Sequence, residues 1–215
     1  MKGKGLIFII SGPAGSGKGT VASILRDTLP TVGLSVSATT RLPRPGEVEG
    51  KSYFFITRDE FEKLVAEGEI IEHTEYCSNL YGTLRREVVR ITEEGRDVIL
   101  EIEVEGAMQV KRLMGDDVIT VMLTAPSAGE LERRLRGRGT ESEEVIRRRL
   151  ARAKEELAYA DRYDYVVFNE TGKAEECAAL VAGIISAEHV RSERRREFVD
   201  GFIRDLAAAC DNREE

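Results

Sequence analysis

Apolar runs and amphipathic segments alternate along most of the chain. The first run, residues 6–10, is wholly apolar and rich in β-branched side chains, which is typical of a strand covered on both faces. Further short apolar runs predict strands at 34–36, 98–104, 118–123 and 165–168. Helical spacing of apolar residues predicts helices after the first strand and at 107–114, 128–136 and 142–160. Because strands alternate with helices, we expect an α/β fold of three layers, with a parallel sheet and right-handed crossovers.

Three stretches depart from this alternation. Residues 38–81 hold Pro43, Pro45, several glycines and several aromatic side chains, which predicts a small inserted lobe with strand character at 53–56 and a short helix at 59–67. Residues 133–152 hold eight arginines, most of which we expect on the solvated face of a helix that starts with a capping box at Thr140. The tail, 189–215, is helical in pattern. We expect its apolar face to pack on the body or on a partner; its apolar positions are Phe198, Phe202, Ile203 and Leu206.

Composition bounds the function. The chain has 215 residues, 41% hydrophobic and 33% charged, which excludes wholesale disorder and leaves room for one main domain. Its net charge of −7 argues against nucleic acid or an anionic membrane as a partner of the whole surface. No apolar run is long enough for a membrane span or a signal peptide. Three distant cysteines, Cys77, Cys177 and Cys210, predict reduced thiols and a cytoplasmic location.

A phosphate-binding loop follows the first strand. The spacing Gly12-x4-Gly17-Lys18, between a strand and a helix, is that of a P-loop and predicts a nucleoside triphosphate ligand. Gly19 stands where the common pattern has a hydroxyl, so either Ser16 or Thr20 is expected to contact a metal ion. The predicted loop comprises Gly12, Pro13, Ala14, Gly15, Ser16, Gly17, Lys18, Gly19 and Thr20.

Hydroxyl and guanidinium groups are dense in the inserted stretch. Arg41 and Arg44 offer forked donors suited to a phosphate, and Ser37 and Tyr53 add hydroxyl donors. Further along lie a carboxylate, a phenol and a hydroxyl, at Glu72, Tyr81 and Thr83. These residues alone leave two interpretations open, namely a second phosphate site and a solvated β-lobe with ordinary surface arginines.

Several blocks in the same order resemble the guanylate kinases over nearly the whole chain. They are the P-loop, residues 35–53, Tyr81-Gly82-Thr83, residues 100–106, residues 134–140, Arg149-Leu150 and residues 163–169. The resemblance implies a core of 1–36, 97–132 and 153–215, a GMP-binding lobe of 37–96 and a lid of 133–152. It also implies transfer of the γ-phosphoryl group of ATP to GMP, and to dGMP, with Mg²⁺ on the ATP phosphates.

The resemblance assigns roles to individual residues. It implies that the phosphate of GMP is bound by Ser37, Arg41, Arg44, Tyr53 and Tyr81. It implies that guanine is bound by Glu72, Thr83 and Glu103. It implies that the catalytic residues around the transferring phosphoryl group are Lys18, Arg41, Arg138, Arg149 and Glu101. Glu101 is also a candidate metal ligand. Arg134 and Asn169 fall to ATP, with Asn169 at the adenine ring.

Two of these assignments also have a chemical rationale. A carboxylate accepts from both N1–H and the exocyclic amino group of guanine, whereas adenine presents a lone pair at N1. Glu101 and Glu103 are two apart in the predicted strand 98–104, so we expect them on one face at the carboxyl end of the sheet. An exposed edge strand would also explain that pair.

Two other functions fit parts of the sequence. The Gly-Lys-Gly-Thr turn also resembles adenylate kinases, although the block from Arg41 to Tyr53 does not. A non-catalytic guanylate-kinase-like module would bind protein partners, but such modules have a degraded P-loop, whereas Gly17 and Lys18 are present here. ATP and GMP are therefore the expected partners, with no nucleic acid and no membrane, and either a monomer or a homo-oligomer is compatible with the sequence.

Overall fold

Two sheets organise the chain in the computed structural model, which describes residues 4–76, 78–137 and 142–211. Within these residues the strands are β1 (Ile7–Ser11), β2 (Val32–Leu34), β3 (Ser37–Thr39), β4 (Phe54–Phe55), β5 (Ile70–Tyr76), β6 (Asn79–Leu84), β7 (Asp97–Glu101), β8 (Val118–Thr124) and β9 (Tyr165–Phe168). The α-helices are α1 (Lys18–Thr28), α2 (Arg58–Ala66), α3 (Arg85–Glu93), α4 (Val104–Met114), α5 (Ala128–Arg136), α6 (Glu143–Leu157), α7 (Ala174–Glu188) and α8 (Arg196–Asp211).

The larger sheet is parallel and has the strand order β2-β7-β1-β8-β9. Successive side chains of β1 point to opposite faces, and both faces are covered. Ile7 and Ile9 belong to an apolar cluster with residues of α3 and α4, whereas Phe8 and Ile10 belong to one with residues of α1 and α7. This arrangement confirms the predicted three-layer α/β fold, and it brings the carboxyl ends of the strands to one edge.

The predicted strand 98–104 is wrong at its end. Strand β7 stops at Glu101, and Glu103 is the N-cap of helix α4. The alternation of acidic and apolar residues at 101–105 resembles a strand, but Val104, Ala107 and Met108 follow helical spacing and are buried together. Glu101 and Glu103 therefore do not share one face of a strand.

The predicted strand 34–36 is also displaced. The chain forms β2 in the larger sheet up to Leu34 and then enters the smaller sheet at Ser37 as β3. Residues 35–36 connect the two sheets, and the backbone N–H of Ser35 still donates to the carbonyl of Ile99 at 3.1 Å.

The smaller sheet has the order β4-β3-β6-β5 and its own apolar cluster. Phe61 of α2 lies in that cluster together with Ala38, Ile70 and Leu84. Helix α3 follows β6 in the chain, but its residues Val88 and Ile91 pack in the apolar cluster of the larger sheet. The inserted stretch therefore has a core of its own only as far as the end of β6.

The arginine-rich segment, 133–152, covers the end of α5 and most of α6. Helix α5 matches its predicted bounds, and Ser127 caps it by accepting a hydrogen bond from the backbone of Glu130 at 3.2 Å. Helix α6 begins at Glu143, and its N-cap is Ser142. The predicted N-cap, Thr140, lies outside the described residues, as does Arg138.

The C-terminal helix α8 exposes its apolar face. Among the described residues, Phe198, Phe202, Ile203 and Leu206 of this face are each at least half exposed, so the face does not pack on the body, and the other expectation, a partner, stays a prediction. None of the helices in these residues is long and apolar enough to span a bilayer. Cys177 is buried and Cys210 exposed, and both are free thiols, whereas Cys77 lies outside the described residues.

Candidate active site

The P-loop connects β1 to α1 at the carboxyl edge of the larger sheet. Gly12, Gly15 and Gly17 have φ angles of 139°, 88° and 90°, a region that side chains disfavour. A Cβ at Gly12 would also lie 1.9 Å from the carbonyl oxygen of Leu123. The ammonium of Lys18 folds back over the loop and donates to the carbonyl oxygens of Gly12 at 2.5 Å and Pro13 at 3.4 Å. Lys18 is thus poised beside the space that the loop encloses.

Arg134 and Asn169 brace the P-loop. The amide nitrogen of Asn169 donates to the carbonyl of Ser16 at 2.8 Å, and a Cβ at Gly17 would lie 2.3 Å from that nitrogen. Arg134 donates to the carbonyl of Gly15 at 3.3 Å and to that of Asn169 at 2.5 Å. Both residues, which the resemblance assigns to ATP, therefore contact the loop itself.

Glu101 faces the start of helix α1. A Cβ at Gly19 would lie 3.3 Å from one carboxylate oxygen of Glu101. Desolvation by the surrounding walls raises the pKa of Glu101, the charge of Lys18 opposes that rise, and Glu103 adds to it. The carboxylate at the end of β7 therefore lies beside the P-loop, and its role at a metal ion or the phosphoryl group stays a prediction.

Glu103 contacts helix α6. The guanidinium of Arg152 lies 3.5 Å from the carboxylate of Glu103 and donates to that of Glu156 at 3.0 Å. Burial, followed by the charge of Glu103, raises the pKa of Glu156. Glu156 is only 8% exposed and was not predicted. Its signal in the sequence was its place on the inner face of the helix, three residues after the buried Ala153.

Glu72 lies on β5, with Thr83 of β6 and Gly106 of α4 beside its carboxylate. It is 4% exposed, and burial raises its pKa to about 7. The hydroxyl of Thr83 donates to one of its carboxylate oxygens at 2.7 Å. A Cβ at Gly106 would lie 2.4 Å from the other oxygen, so any larger residue at this position would force the carboxylate to shift. The importance of Gly106 was not predicted.

Helix α4 is held against β5 by hydrogen bonds as well as by packing. The side-chain amide of Gln109 accepts from the backbone nitrogen of His73 at 3.4 Å and donates to its carbonyl at 3.3 Å. These bonds are adjacent to Glu72 in the strand. They therefore fix the distance between the carboxylate and Gly106.

The predicted phosphate arginines differ in their surroundings. Arg41 forms a two-pronged ion pair with Glu47, at 2.8 and 2.9 Å, and its guanidinium carbon lies 5.4 Å from the ring centre of Tyr53. Tyr53 in turn meets Tyr81 edge to face, at 6.0 Å between ring centres. Arg44 is exposed. Glu47 was not predicted, although it follows both arginines within six residues.

One cleft of about 590 Å³ joins these parts. Nine of the predicted residues line it, namely Ala14, Lys18, Ser37, Tyr53, Glu72, Tyr81, Glu101, Glu103 and Arg149. Arg41 and Thr83 adjoin it through their contacts with Tyr53 and Glu72. Thr20 and Arg44 are exposed and are not among the lining residues. Nucleotide-sized space thus separates the P-loop from the buried carboxylate.

The sequence profile of the guanylate kinases matches residues 4–188. The chain belongs to the guanylate kinase family. The guanylate kinase of Lactococcus lactis is 50% identical over 96% of this chain and 99% of its own, and that of Cereibacter sphaeroides is 42% identical over 99% and 100%. The crystal structure of guanylate kinase from Anaplasma phagocytophilum superposes with a TM-score of 0.71 at 34% identity, over 92% of this chain and 95% of that one.

Membership of the guanylate kinase family confirms the resemblance and the enzyme class predicted from the sequence. The chain is a kinase with an intact P-loop, so neither an adenylate kinase nor a non-catalytic module is needed to explain it. For a guanylate kinase, the unpredicted residues Glu47, Gly106 and Glu156 all lie against predicted ones. These three residues therefore adjoin the expected ligands without being expected ligands themselves.

Proposed function

We propose that this guanylate kinase transfers the γ-phosphoryl group of ATP to GMP, giving ADP and GDP, in the cleft between the P-loop and Glu72. The main support for this proposal is the lining of a single cleft. Lys18 and Arg149 lie on it, and so does the buried carboxylate of Glu72, which accepts a hydrogen bond from Thr83. Positive groups suit the triphosphate, whereas a carboxylate suits the N1–H and amino donors of guanine.

The ATP phosphates bind at the P-loop in this proposal. The N-terminus of α1 and the loop backbone favour an anion, and Lys18 neutralises charge on the phosphates. Arg134 and Asn169 keep the loop in shape through the carbonyls of Gly15 and Ser16, and the predicted contact of Asn169 with adenine remains a prediction. Arg149 reaches the cleft from α6, and Arg138 is assigned to the same phosphoryl group by resemblance alone.

The metal in this proposal is Mg²⁺, held mainly by ATP. Within the described residues no cluster of three or more acidic, histidine or cysteine side chains could hold a metal ion. Carboxylate and hydroxyl oxygens are nevertheless the ligands that Mg²⁺ prefers, and Glu101 with the hydroxyl of Ser16 or Thr20 would hold it. The Ser16 hydroxyl is fully buried and has no hydrogen-bond partner among the described atoms. When bound, the ion would neutralise negative charge on the ATP phosphates.

The acceptor phosphate binds between the lobe and the core. Ser37, Tyr53 and Tyr81 line this part of the cleft, and the guanidinium of Arg41 lies against the ring of Tyr53. Arg44 is on the same loop and adds a second positive charge. These groups offset the charge of an incoming dianion and fix the position of its oxygens.

Guanine binds at Glu72 and Thr83 in this proposal, with Glu103 nearby. The ionised carboxylate accepts two hydrogen bonds from guanine, whereas adenine would leave it unpaired in a buried site. A pKa of about 7 means that Glu72 is easily protonated when no base is bound. Hydrogen bonds from the base favour the ionised form, so binding of GMP lowers that pKa.

Transfer itself needs position and charge neutralisation more than a base. An oxygen of the GMP phosphate forms a bond to the γ-phosphorus as the bond to the β-phosphate oxygen breaks, and that oxygen leaves with the electron pair on ADP. The attacking oxygen already carries charge, so no proton has to be removed. Lys18, Arg41 and Arg149 stabilise the charge that is spread over the reacting oxygens.

Acceptor specificity tests this proposal. Purified enzyme is assayed with ATP and each of GMP, dGMP, AMP, CMP and UMP, in wild type and in Glu72→Gln, with nucleoside diphosphate formation as the readout. We expect turnover of GMP and dGMP alone, and a loss of about 10²-fold in kcat/KM for GMP in the variant. A ratio of GMP to AMP activity that stays within threefold in the folded variant would move guanine recognition away from Glu72. A cytoplasmic location and the oligomeric state remain predictions from the sequence.

A further inference from the structure

The carboxylate of Glu47 closes the loop that carries both proposed phosphate arginines. One of its oxygens accepts a hydrogen bond from Arg41 Nη2 at 2.8 Å, and the other accepts from Arg41 Nη1 at 2.9 Å. The second oxygen also accepts from the backbone N–H of Arg44 at 2.7 Å. A single side chain thus holds the fork of one arginine and the main chain of the other.

This ion pair is shielded from solvent and has little freedom to move. The side chains of Arg41 and Glu47 are only 14% and 21% exposed. The guanidinium lies 5.4 Å from the ring centre of Tyr53 and 5.8 Å from that of Phe55. Hydrogen bonds from Arg41 and from the backbone of Arg44 lower the pKa of Glu47 to about 2, so its carboxylate is ionised near neutral pH.

The pairing leaves one edge of the guanidinium for a ligand. Glu47 and the carbonyl of Leu42, which accepts from Nη1 at 2.7 Å, take three of the five N–H donors of Arg41. The two donors that these partners leave are Nε–H and one Nη2–H, on the other edge of the fork, and the hydroxyl of Tyr81, itself an expected phosphate contact, also interacts with this guanidinium. These two parallel donors fit two oxygens of a phosphate.

We propose that Glu47 is a positioning residue for the acceptor site, which turns the Nε–Nη2 edge of Arg41 toward the phosphate of GMP. This inference rests on the proposed role of Arg41 as a phosphate ligand. Glu47 itself touches no substrate and acts through Arg41 and the backbone of Arg44. A carboxylate that merely competed with GMP for Arg41 would have the opposite effect when removed.

The test compares binding of GMP and guanosine, which differ only in the phosphate. In Glu47→Gln we expect calorimetry to show that GMP binding is weakened about tenfold or more. Without the Glu47 carboxylate the guanidinium of Arg41 is free to move, and fixing it on binding costs free energy. Guanosine binding and the KM for ATP should stay within twofold of wild type. Glu47→Asp, which keeps the charge on a shorter stem, should recover part of the loss.

A matched control removes the same charge elsewhere in the lobe. Glu62 pairs with Arg58 at 2.9 Å on the exposed side of α2, and Glu62→Gln should leave GMP binding unchanged. Should Glu47→Gln fail to fold by circular dichroism, Glu47→Asp carries the test, with a loss confined to GMP expected. Equal losses for GMP and guanosine in either variant would reduce Glu47 to a structural residue.

Substitution of Arg41 distinguishes the positioning role of Glu47 from the assignment of Arg41 as a phosphate ligand, on which that role rests. Arg41→Met should weaken GMP but not guanosine, and adding Glu47→Gln to it should cause a smaller loss than Glu47→Gln causes alone, because only the bond to the backbone of Arg44 is left to remove. If Arg41→Met spares GMP, the phosphate assignment of Arg41 is wrong. If Arg41→Met weakens GMP while Glu47→Gln leaves it within twofold or tightens it, only the positioning role is overturned.

Discussion

Binding of guanine should depend on pH through Glu72. This carboxyl is buried, and its pKa is raised from 4.5 to about 7. Guanine needs the ionised form, so affinity should be full well above pH 7 and fall as pH drops through that value. With a pKa of about 7, roughly 90% of the groups are ionised near pH 8 and roughly 10% near pH 6. Guanosine affinity should therefore fall about tenfold between those conditions.

Guanosine is the appropriate probe for this effect, because a phosphate group titrates near pH 6 and would add its own dependence. Isothermal titration calorimetry in buffers of different ionisation enthalpy also measures the number of protons released when guanosine binds. We expect release of nearly one proton per guanosine near pH 6 and almost none near pH 8, because binding lowers the pKa of Glu72. The control Glu60→Gln, on the exposed side of α2, should keep the full dependence.

Two results would refute this reasoning. One is guanosine affinity in the wild type that stays within twofold across the range, and the other is an equal pH dependence in Glu72→Gln. Unfolding gives an independent check. A carboxyl whose pKa is raised on folding stabilises the native state below its unfolded value, and that contribution is lost as pH rises through about 7. Between about pH 5 and pH 8, the unfolding free energy of Glu72→Gln should therefore gain about 1–3 kcal/mol relative to wild type.

Three further substitutions test other parts of the site. Lys18→Ala should fold normally but lower kcat by about 10² or more, measured by a coupled ADP assay, since the positive charge at the P-loop is lost. Gly106→Ala should raise the KM for GMP about tenfold with the KM for ATP unchanged, because its Cβ would meet Glu72 at 2.4 Å; Gly183→Ala, with open space around it, is the control. Asn169→Ala should raise the KM for ATP several-fold and spare that for GMP, since one hydrogen bond that braces the P-loop disappears.

Local chemistry along the chain was enough to predict the P-loop, the parallel sheet and several element bounds. Glycines with positive φ, between an apolar strand and a helix, leave few other structures for residues 12–17. Helix α5 and strand β9 were predicted to the residue, because apolar residues of the helix follow helical spacing and the strand is a short run of apolar and aromatic residues. Such features depend on neighbours in sequence, and they need no knowledge of distant contacts.

Contacts between distant parts of the chain decided the rest. The pattern of residues 101–105 fits either a strand or a helix. Because Val104 is buried in the core, strand β7 ends at Glu101 and helix α4 begins at Val104. The pocket of Glu72 depends on Gly106, 34 positions away, which becomes its neighbour only when α4 packs on β5. Packing also brought Arg152 of α6 to within 3.5 Å of Glu103 at the cleft. The sequence alone thus determined which chemical groups the enzyme has, whereas the tertiary structure decided which of them meet, because burial and steric fit act between residues that sequence distance does not relate.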